Sequence, residues 1–161
     1  MDAGCDVVAM EVSSHALDLD RVWATDFAVT GFTNLTQDHL DYHHTFEEYF
    51  DVKSRLFSKD YPSARVIGVN EKWGRLLLDK CEVQGDDVIS FASGAPDADI
   101  HVVDVEYMSN STKVTLSILG DHHTVEYPLT GKFNVDNVAC AIGVCLKLGI
   151  DLDVVLKALK T

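Results

Sequence analysis

Two polar clusters follow apolar, β-branched runs in this sequence, and both carry side chains that could perform chemistry. The first cluster is Glu-Val-Ser-Ser-His at residues 11–15, and the second is residues 34–43, which include Asp38, His39 and His43. Carboxylates supply the hard oxygen ligands that Mg²⁺ prefers, and histidine binds metals or transfers protons. Ligands of open α/β sheets bind beyond the carboxyl ends of the strands, so these positions predict a ligand site.

Each of these side chains also has a plain structural interpretation. Glu11 could mark the exit of a strand to solvent, His15 could be a core histidine, and Lys53 could extend from its helix to water. His39 and His43 are four residues apart and could bind zinc from one helix face, but Leu40 stands where a zinc protease needs glutamate. Helix capping is the ordinary role of the remaining four: Ser13, Ser14, Asn134 and Asn137.

The hydrophobic pattern predicts the elements that must position these residues. Continuous apolar runs predict buried parallel strands at residues 5–12, 27–33, 64–70 and 87–91. Helical spacing predicts helices at residues 45–58, 71–81, 134–148 and 151–160. A period of two over residues 100–127 predicts antiparallel strands with turns at 109–111 and 120–122. We therefore expect a single α/β domain, with a mostly parallel sheet flanked by helices and an additional antiparallel β segment.

Composition narrows the classes of partner. The 161 residues include 13 basic and 26 acidic side chains, a net charge of −13 that repels phosphate backbones, so we expect no nucleic-acid partner. No apolar run reaches the ~20 residues that cross a bilayer, and we expect no membrane partner. The four cysteines form no Cys-x-x-Cys pair, which favours free thiols in a reducing compartment and a cytoplasmic protein.

Four strings together resemble the Mur ligase family in order and spacing. They are Met-Glu-Val-Ser-Ser-His-Ala-Leu from Met10, Thr-Asn-Leu-Thr-Gln-Asp-His-Leu-Asp-Tyr-His from Thr33, Lys-Ser-Arg-Leu-Phe from Lys53 and Gly-Lys-Phe-Asn-Val-Asp-Asn from Gly131. The resemblance covers essentially the whole chain and identifies residues 1–161 with the later part of the family's central, ATP-binding domain. The Ser-Ser-His after Glu11 favours the member that adds the third amino acid of the peptidoglycan stem peptide over its siblings and over folylpolyglutamate synthetase.

The resemblance implies an ATP-dependent amide ligase. In the family, ATP phosphorylates a substrate carboxylate to an acyl phosphate, and an amine then displaces phosphate. The partners implied are a UDP-N-acetylmuramoyl dipeptide, ATP, and diaminopimelate or lysine, with Mg²⁺ neutralising the phosphate oxygens.

The resemblance also assigns roles to individual residues. Glu11 and His39 match magnesium ligands, and Lys53 matches a lysine that is carbamylated in the intact enzyme and acts in catalysis. Substrate contacts are implied for Ser13 and Arg21. The adenine contacts are implied for Asn134 and Asn137.

Several parts of the family enzyme have no counterpart in these residues. The P-loop, the N-terminal UDP-binding domain and the C-terminal amino-acid-binding domain are absent. We therefore expect a piece of a larger enzyme that is inactive alone and self-associates through its cut edge. Two alternatives stay open: a metal-dependent hydrolase built on His15, His39 and His43, and a non-catalytic binding module.

Overall fold

The computed structural model describes residues 4–35 and 44–161 and contains one mixed β-sheet with helices on both faces. The strands of the described chain are β1 (Val29–Phe32), β2 (Ala64–Gly68), β3 (Val88–Ala92), β4 (Ile100–Tyr107), β5 (Thr112–Ile118) and β6 (Asp121–Tyr127). They lie side by side in chain order. The pairings from β1 to β4 are parallel, and those from β4 to β6 are antiparallel. The predicted fold class is confirmed.

Five α-helices flank this sheet within the same residues. They are α1 (Ser14–Asp18), α2 (Phe46–Ser54), α3 (Lys72–Gln84), α4 (Lys132–Lys147) and α5 (Leu152–Ala158). The predicted start of α2 is confirmed, because the Thr45 hydroxyl accepts a hydrogen bond from the Glu48 backbone N–H at 3.1 Å. The predicted helix over 45–58 tightens into a 3₁₀ turn at Arg55–Phe57 after α2. Among the described residues, no helix combines the length and the apolar character needed to span a membrane.

Alternating side chains of the parallel strands face two separate cores. Ile67 of β2 packs with Leu17, Phe32 and Leu77 on the face that α1, α2 and α3 cover. Its neighbour Val66 points the other way and belongs to the core that α4 and α5 cover. Burial on both faces explains why these strands read as continuous apolar runs.

The strand predicted at residues 5–12 is wrong. This stretch has no regular secondary structure from Gly4 onward, and Val7 and Val8 are 63% and 75% exposed. A strand needs a partner for its backbone hydrogen bonds, and the described part of β1 pairs with β2 alone. Without a partner strand, this apolar segment forms no strand, and Val7 and Val8 stay exposed to solvent.

The turn between β5 and β6 also differs from its predicted position. It comprises Leu119 and Gly120, with φ of 52° and 98°, rather than residues 120–122. Two consecutive residues in the left-handed region give the tight hairpin turn whose twist matches the strands. Asp121 and His122 are consequently strand residues.

Candidate functional site

The side chains of interest gather at the carboxyl ends of β1, β2 and β3. At the end of β1, a small open cavity is lined by Val12 before α1, by Thr33 after β1 and by Lys53 of α2. Past β2 and β3, a second polar group joins Asn70 and Ser93 to the start of α4. This edge is where open α/β sheets bind ligands.

Lys53 is the half-buried cation of the first cavity. It lies in the last turn of α2, and its Nζ is 5.8 Å from the centre of the Tyr49 ring. Burial lowers the pKa of Lys53, and the negative charge of Glu11 partly opposes that lowering. Glu11, 42 positions away in the chain, is therefore within electrostatic range of Lys53, and the sequence motifs assign both residues to one site.

Glu11 fits a role as an oxygen ligand of a cation. Its side chain is exposed, and the described residues give its carboxylate no hydrogen bond or ion pair within 4.0 Å. A carboxylate without a hydrogen-bond partner among the described residues is a suitable ligand for Mg²⁺. His39, the other predicted ligand, lies outside the described residues. Within the ranges 4–35 and 44–161, no group of three or more His, Cys, Asp or Glu side chains could hold a metal.

Ser13 directly precedes α1, and Arg21 follows it in the chain. The Ser13 hydroxyl accepts a hydrogen bond from the Ala16 N–H at 3.2 Å and so caps α1. Arg21 is exposed, and its guanidinium makes no hydrogen bond or ion pair with the described part of the chain. The neighbouring residue, Asp20, is paired instead: its carboxylate accepts a hydrogen bond at 2.6 Å from Nη2 of Arg55, which directly follows α2. Ser13 therefore has a structural task, whereas Arg21 keeps its planar fork available for a carboxylate.

Asn134 and Asn137 lie one turn apart at the start of α4, and their amides are differently engaged. Asn134 Nδ2 donates to the Thr130 carbonyl at 2.7 Å, and its Oδ1 accepts from Asn137 Nδ2 at 3.3 Å. Asn137 is exposed, and its Oδ1 has no hydrogen bond to any described residue. Asn134 thus holds the loop that enters α4, while Asn137 presents one acceptor and one further N–H outward. Such an amide edge can pair with the donor and acceptor edge of a purine base.

The sequence analysis assigned no role to Asn70, Ser93 or Asp136, which link three elements at this edge, although Asp136 lies within the motif that starts at Gly131. Asn70 Nδ2 donates to Asp136 Oδ1 at 2.9 Å, and Asn70 Oδ1 accepts from the Ser93 N–H at 3.0 Å. The pattern predicted residues 64–70 as strand, but β2 ends at Gly68. A polar residue immediately after a buried strand was the signal that could have found Asn70.

Comparison with known proteins places the chain in a family. Residues 1–145 match the family model of the Mur ligase middle domain. The chain is 40% identical over 161 residues to the UDP-N-acetylmuramoyl-L-alanyl-D-glutamate--2,6-diaminopimelate ligase of Thermosynechococcus vestitus, covering 99% of the chain and 32% of that protein. It is 41% identical over 159 residues to the ligase of the same name from Fusobacterium nucleatum, covering 94% of the chain and 30% of that protein. The chain thus spans about a third of the length of these curated relatives.

Solved structures agree with this placement. A structure of a UDP-N-acetylmuramoyl-L-alanyl-D-glutamate--2,6-diaminopimelate ligase superimposes with a TM-score of 0.83 at 28% identity, over 92% of this chain and 31% of that one. The MurF ligase from Thermotoga maritima in complex with ADP shares the fold, with a TM-score of 0.72 at 19% identity over 93% of this chain and 34% of that one. With its family model matched over 145 residues and its fold shared with solved ligases, the chain belongs to the Mur ligase middle-domain family.

Proposed function

We propose that this chain is the later part of the ATP-binding middle domain of a ligase that adds the third amino acid to UDP-N-acetylmuramoyl-L-alanyl-D-glutamate. The observation that carries the proposal is the half-buried Lys53 in the cavity at the carboxyl end of β1, within electrostatic range of Glu11, in a chain about 40% identical to enzymes of that name. The amino acid is proposed to be 2,6-diaminopimelate rather than lysine, because both relatives described above carry it in their names.

The proposed reaction transfers the γ-phosphoryl group of ATP to a carboxylate of the glutamyl substrate, and ADP leaves. The amine of the incoming amino acid then attacks the acyl carbon, the carbon–oxygen bond to phosphate breaks, and the amine loses a proton. Mg²⁺ supplies neutralisation of the phosphate charges when it is bound. Glu11 is proposed as a ligand of Mg²⁺ and His39 as a ligand of a second Mg²⁺, and Arg21 and Ser13 are proposed to orient the glutamyl substrate.

Lys53 contributes to this site as a carbamate. Only a neutral amine adds CO₂, and the burial that lowers the pKa of Lys53 raises its neutral fraction at a given pH. Addition forms a nitrogen–carbon bond and releases a proton, which leaves an anion with two oxygens at the end of the lysine stem. An anion at this position could support a bound Mg²⁺ ion, which a protonated lysine would repel.

The complete enzyme is proposed to include the P-loop, the UDP-binding domain and the amino-acid-binding domain in addition to residues 1–161. It acts in the cytoplasm on soluble nucleotide-linked substrates, without nucleic-acid or membrane partners. The open edge beside β1, with Val7, Val8 and Met10 exposed, is proposed to mediate self-association when these residues are expressed alone.

The test is ATP-dependent formation of the UDP-linked tripeptide by the complete enzyme, with ADP and phosphate released in equal amounts. Lys53→Ala is expected to lose about 10²-fold or more of the activity and to regain part of it with added short-chain carboxylates. Lys113→Ala is the control, because Lys113 lies on β5 in the antiparallel part of the sheet. A parent enzyme that forms no tripeptide would overturn the proposed function, and full activity of Lys53→Ala would overturn the carbamate.

A further inference from the structure

The polar group past β2 and β3 connects three elements through one side chain. We call Asn70, Ser93, Gly94 and Asp136 the Asn70 bridge. Asn70 Oδ1 accepts from the backbone N–H groups of Ser93 and Gly94 at 3.0 and 2.9 Å. Its Nδ2 donates to Asp136 Oδ1 at 2.9 Å. One amide therefore fixes the loop after β3 against the first turns of α4.

Each oxygen of the Asp136 carboxylate accepts a hydrogen bond within the Asn70 bridge. Its Oδ1 accepts from Asn70, and its Oδ2 accepts from the Ser93 hydroxyl at 3.3 Å. Both oxygens therefore face the ends of β2 and β3. The carboxylate therefore fixes the rotation of α4 about its axis and its position along that axis relative to the strand ends.

The residue next to Asp136 is Asn137, whose outward amide edge was described above. Successive helical residues are related by a fixed rotation of about 100° and a rise of about 1.5 Å. An α4 that is fixed at Asp136 therefore also fixes the direction in which Asn137 presents its amide. The side-chain hydrogen bond of Asn137, from its Nδ2 to Asn134 Oδ1 at 3.3 Å, is long and holds that direction only weakly.

We propose that Asn70 is a positioning residue for the nucleotide base: through Asp136 it sets the orientation of Asn137. The inference rests on the proposed function, since it requires an adenine base at the start of α4. Asn70 touches no base itself, so it acts through Asp136 and Asn137. A preorganised amide binds without first losing rotational freedom, and its loosening should weaken nucleotide binding more than turnover.

The test is a swap of the two partners in the complete enzyme. Asn70→Asp keeps the acceptor for Ser93 and Gly94 but places a carboxylate against Asp136. Within the Asn70 bridge, this change removes the only donor that links the end of β2 to α4. Asp136→Asn alone preserves both bonds, since an amide can accept from Asn70 and donate to the Ser93 hydroxyl. In the double variant, the new amide at position 136 donates to the new carboxylate at position 70, and the bridge forms again in the opposite direction.

We expect Asn70→Asp to raise the KM for ATP and the Kd for Mg-ADP about tenfold, with kcat within about twofold of the parent. The KM for the UDP-linked dipeptide should stay unchanged. Asp136→Asn and the double variant should both return to within about threefold of the parent. Asn110→Asp, in the turn between β4 and β5, makes the same change of charge away from this edge and controls for general electrostatics.

The outcomes separate the two proposals. A parent that ligates and binds Mg-ADP, together with an Asn70→Asp variant of unchanged nucleotide affinity, overturns the positioning role alone. A double variant that binds nucleotide as weakly as Asn70→Asp overturns it as well. Such a result indicates a general loss of structure, which the swap would not cure. Thermal unfolding of each variant without nucleotide identifies such a loss directly. A parent that binds no adenine nucleotide overturns both proposals.

Discussion

At the scale of single residues, Arg65 on β2 is a fully buried cation with several hydrogen-bond acceptors. It is 1% exposed, and its guanidinium donates to the carbonyls of Leu56, Ser58 and Tyr61 at 3.2, 3.1 and 2.9 Å. Its Nε lies 3.5 Å from Asp86 Oδ2. The three carbonyls lie in the segment that follows α2, and Asp86 lies between α3 and β3. One planar cation therefore organises the backbone that carries the chain from Lys53 into the sheet.

Replacing Arg65 should destabilise the domain strongly. Arg65→Met removes every one of these donors and leaves buried carbonyls and a half-buried carboxylate unpaired, so we expect a loss of about 3–5 kcal/mol in unfolding free energy. Urea denaturation measures it. Arg75→Met is the matched control, because the ion pair of Arg75 with Asp97 is on the surface and should matter little. Equal losses in the two variants would contradict the prediction.

The buried cysteines give a pH-dependent prediction at the same scale. Burial raises the pKa of Cys81 and of Cys140 to about 11 each, and the negative charge of Asp86 adds to the effect at Cys81. Since the thiolate is the reactive form, iodoacetamide at pH 8 should label exposed Cys5 first and spare Cys81 and Cys140 until the protein unfolds. Mass spectrometry of the labelled peptides measures the order.

The same shift predicts how stability depends on pH. A folded state that binds the thiol proton more tightly than the unfolded state keeps this contribution below the ordinary pKa of 9.0 and loses it as the pH rises through about 11. The unfolding midpoint in urea should therefore fall between these pH values. Labelling of Cys81 or Cys140 in the folded protein at pH 8, as fast as that of Cys5, would contradict the assignment.

At the scale of elements, the backbone at the end of β2 lies very close to the start of α3. A Cβ atom on Gly74 of α3 would come within 1.7 Å of the carbonyl oxygen of Gly68. No side chain fits at position 74, because the backbone of Gly68 would have to move to make room for it. The helix can therefore lie directly against the strand end from which Asn70 extends.

Gly74→Ala should consequently displace α3 and cost about 3 kcal/mol of stability. The matched control is Gly94→Ala, where the new methyl group would meet its nearest neighbour, Asn70 Oδ1, at an ordinary 3.6 Å. We expect the control to change stability by less than about 0.5 kcal/mol. Thermal unfolding of both variants decides, and a Gly74→Ala variant as stable as the control would show that the helix can move away at little cost.

The sequence predicted the elements that are determined by local pattern and burial. The apolar runs of β2 and β3 and the cap of α2 at Thr45 depend on neighbours close in the chain, and the structure confirms them. Residues 5–12 failed because pairing depends on a partner strand, which hydrophobicity does not report. The Asn70 bridge was equally hidden, since Asn70 and Asp136 are 66 positions apart and meet only because β2 and α4 pack together.

The site was predictable where a motif carried it. The motifs assign Glu11 and Lys53 to one site, and in the structure the charge of Glu11 acts on the pKa of Lys53. Which of the two asparagines of α4 faces outward was not predictable, because the answer depends on the Thr130 carbonyl that occupies Asn134. The roles of Ser13, Arg21, Asn134 and Asn137 and the magnesium ligands Glu11 and His39 remain predictions.

At the scale of the whole molecule, charge and domain content limit what residues 1–161 do alone. The net charge of −13 opposes a nucleotide tetra-anion, and the sequence offers no Gly-rich loop ending in Gly-Lys-Thr for the phosphates. We expect calorimetry with Mg-ATP to detect no micromolar binding by the isolated chain, and no ligase turnover. Micromolar affinity would mean that the contacts at α4 and Glu11 suffice without the phosphate loop.

The order of the elements along the chain has a consequence for how the protein is made. The side chains of Val66, Ile89, Phe91 and Ile100 are covered by α4, which begins only at Lys132, after all six described strands. As synthesis proceeds from the N-terminus, the sheet can assemble strand by strand because each strand pairs with the next one in the chain. Its second face stays bare until α4 leaves the ribosome. The nascent domain is therefore most exposed to aggregation and to chaperone capture just before its fourth helix emerges.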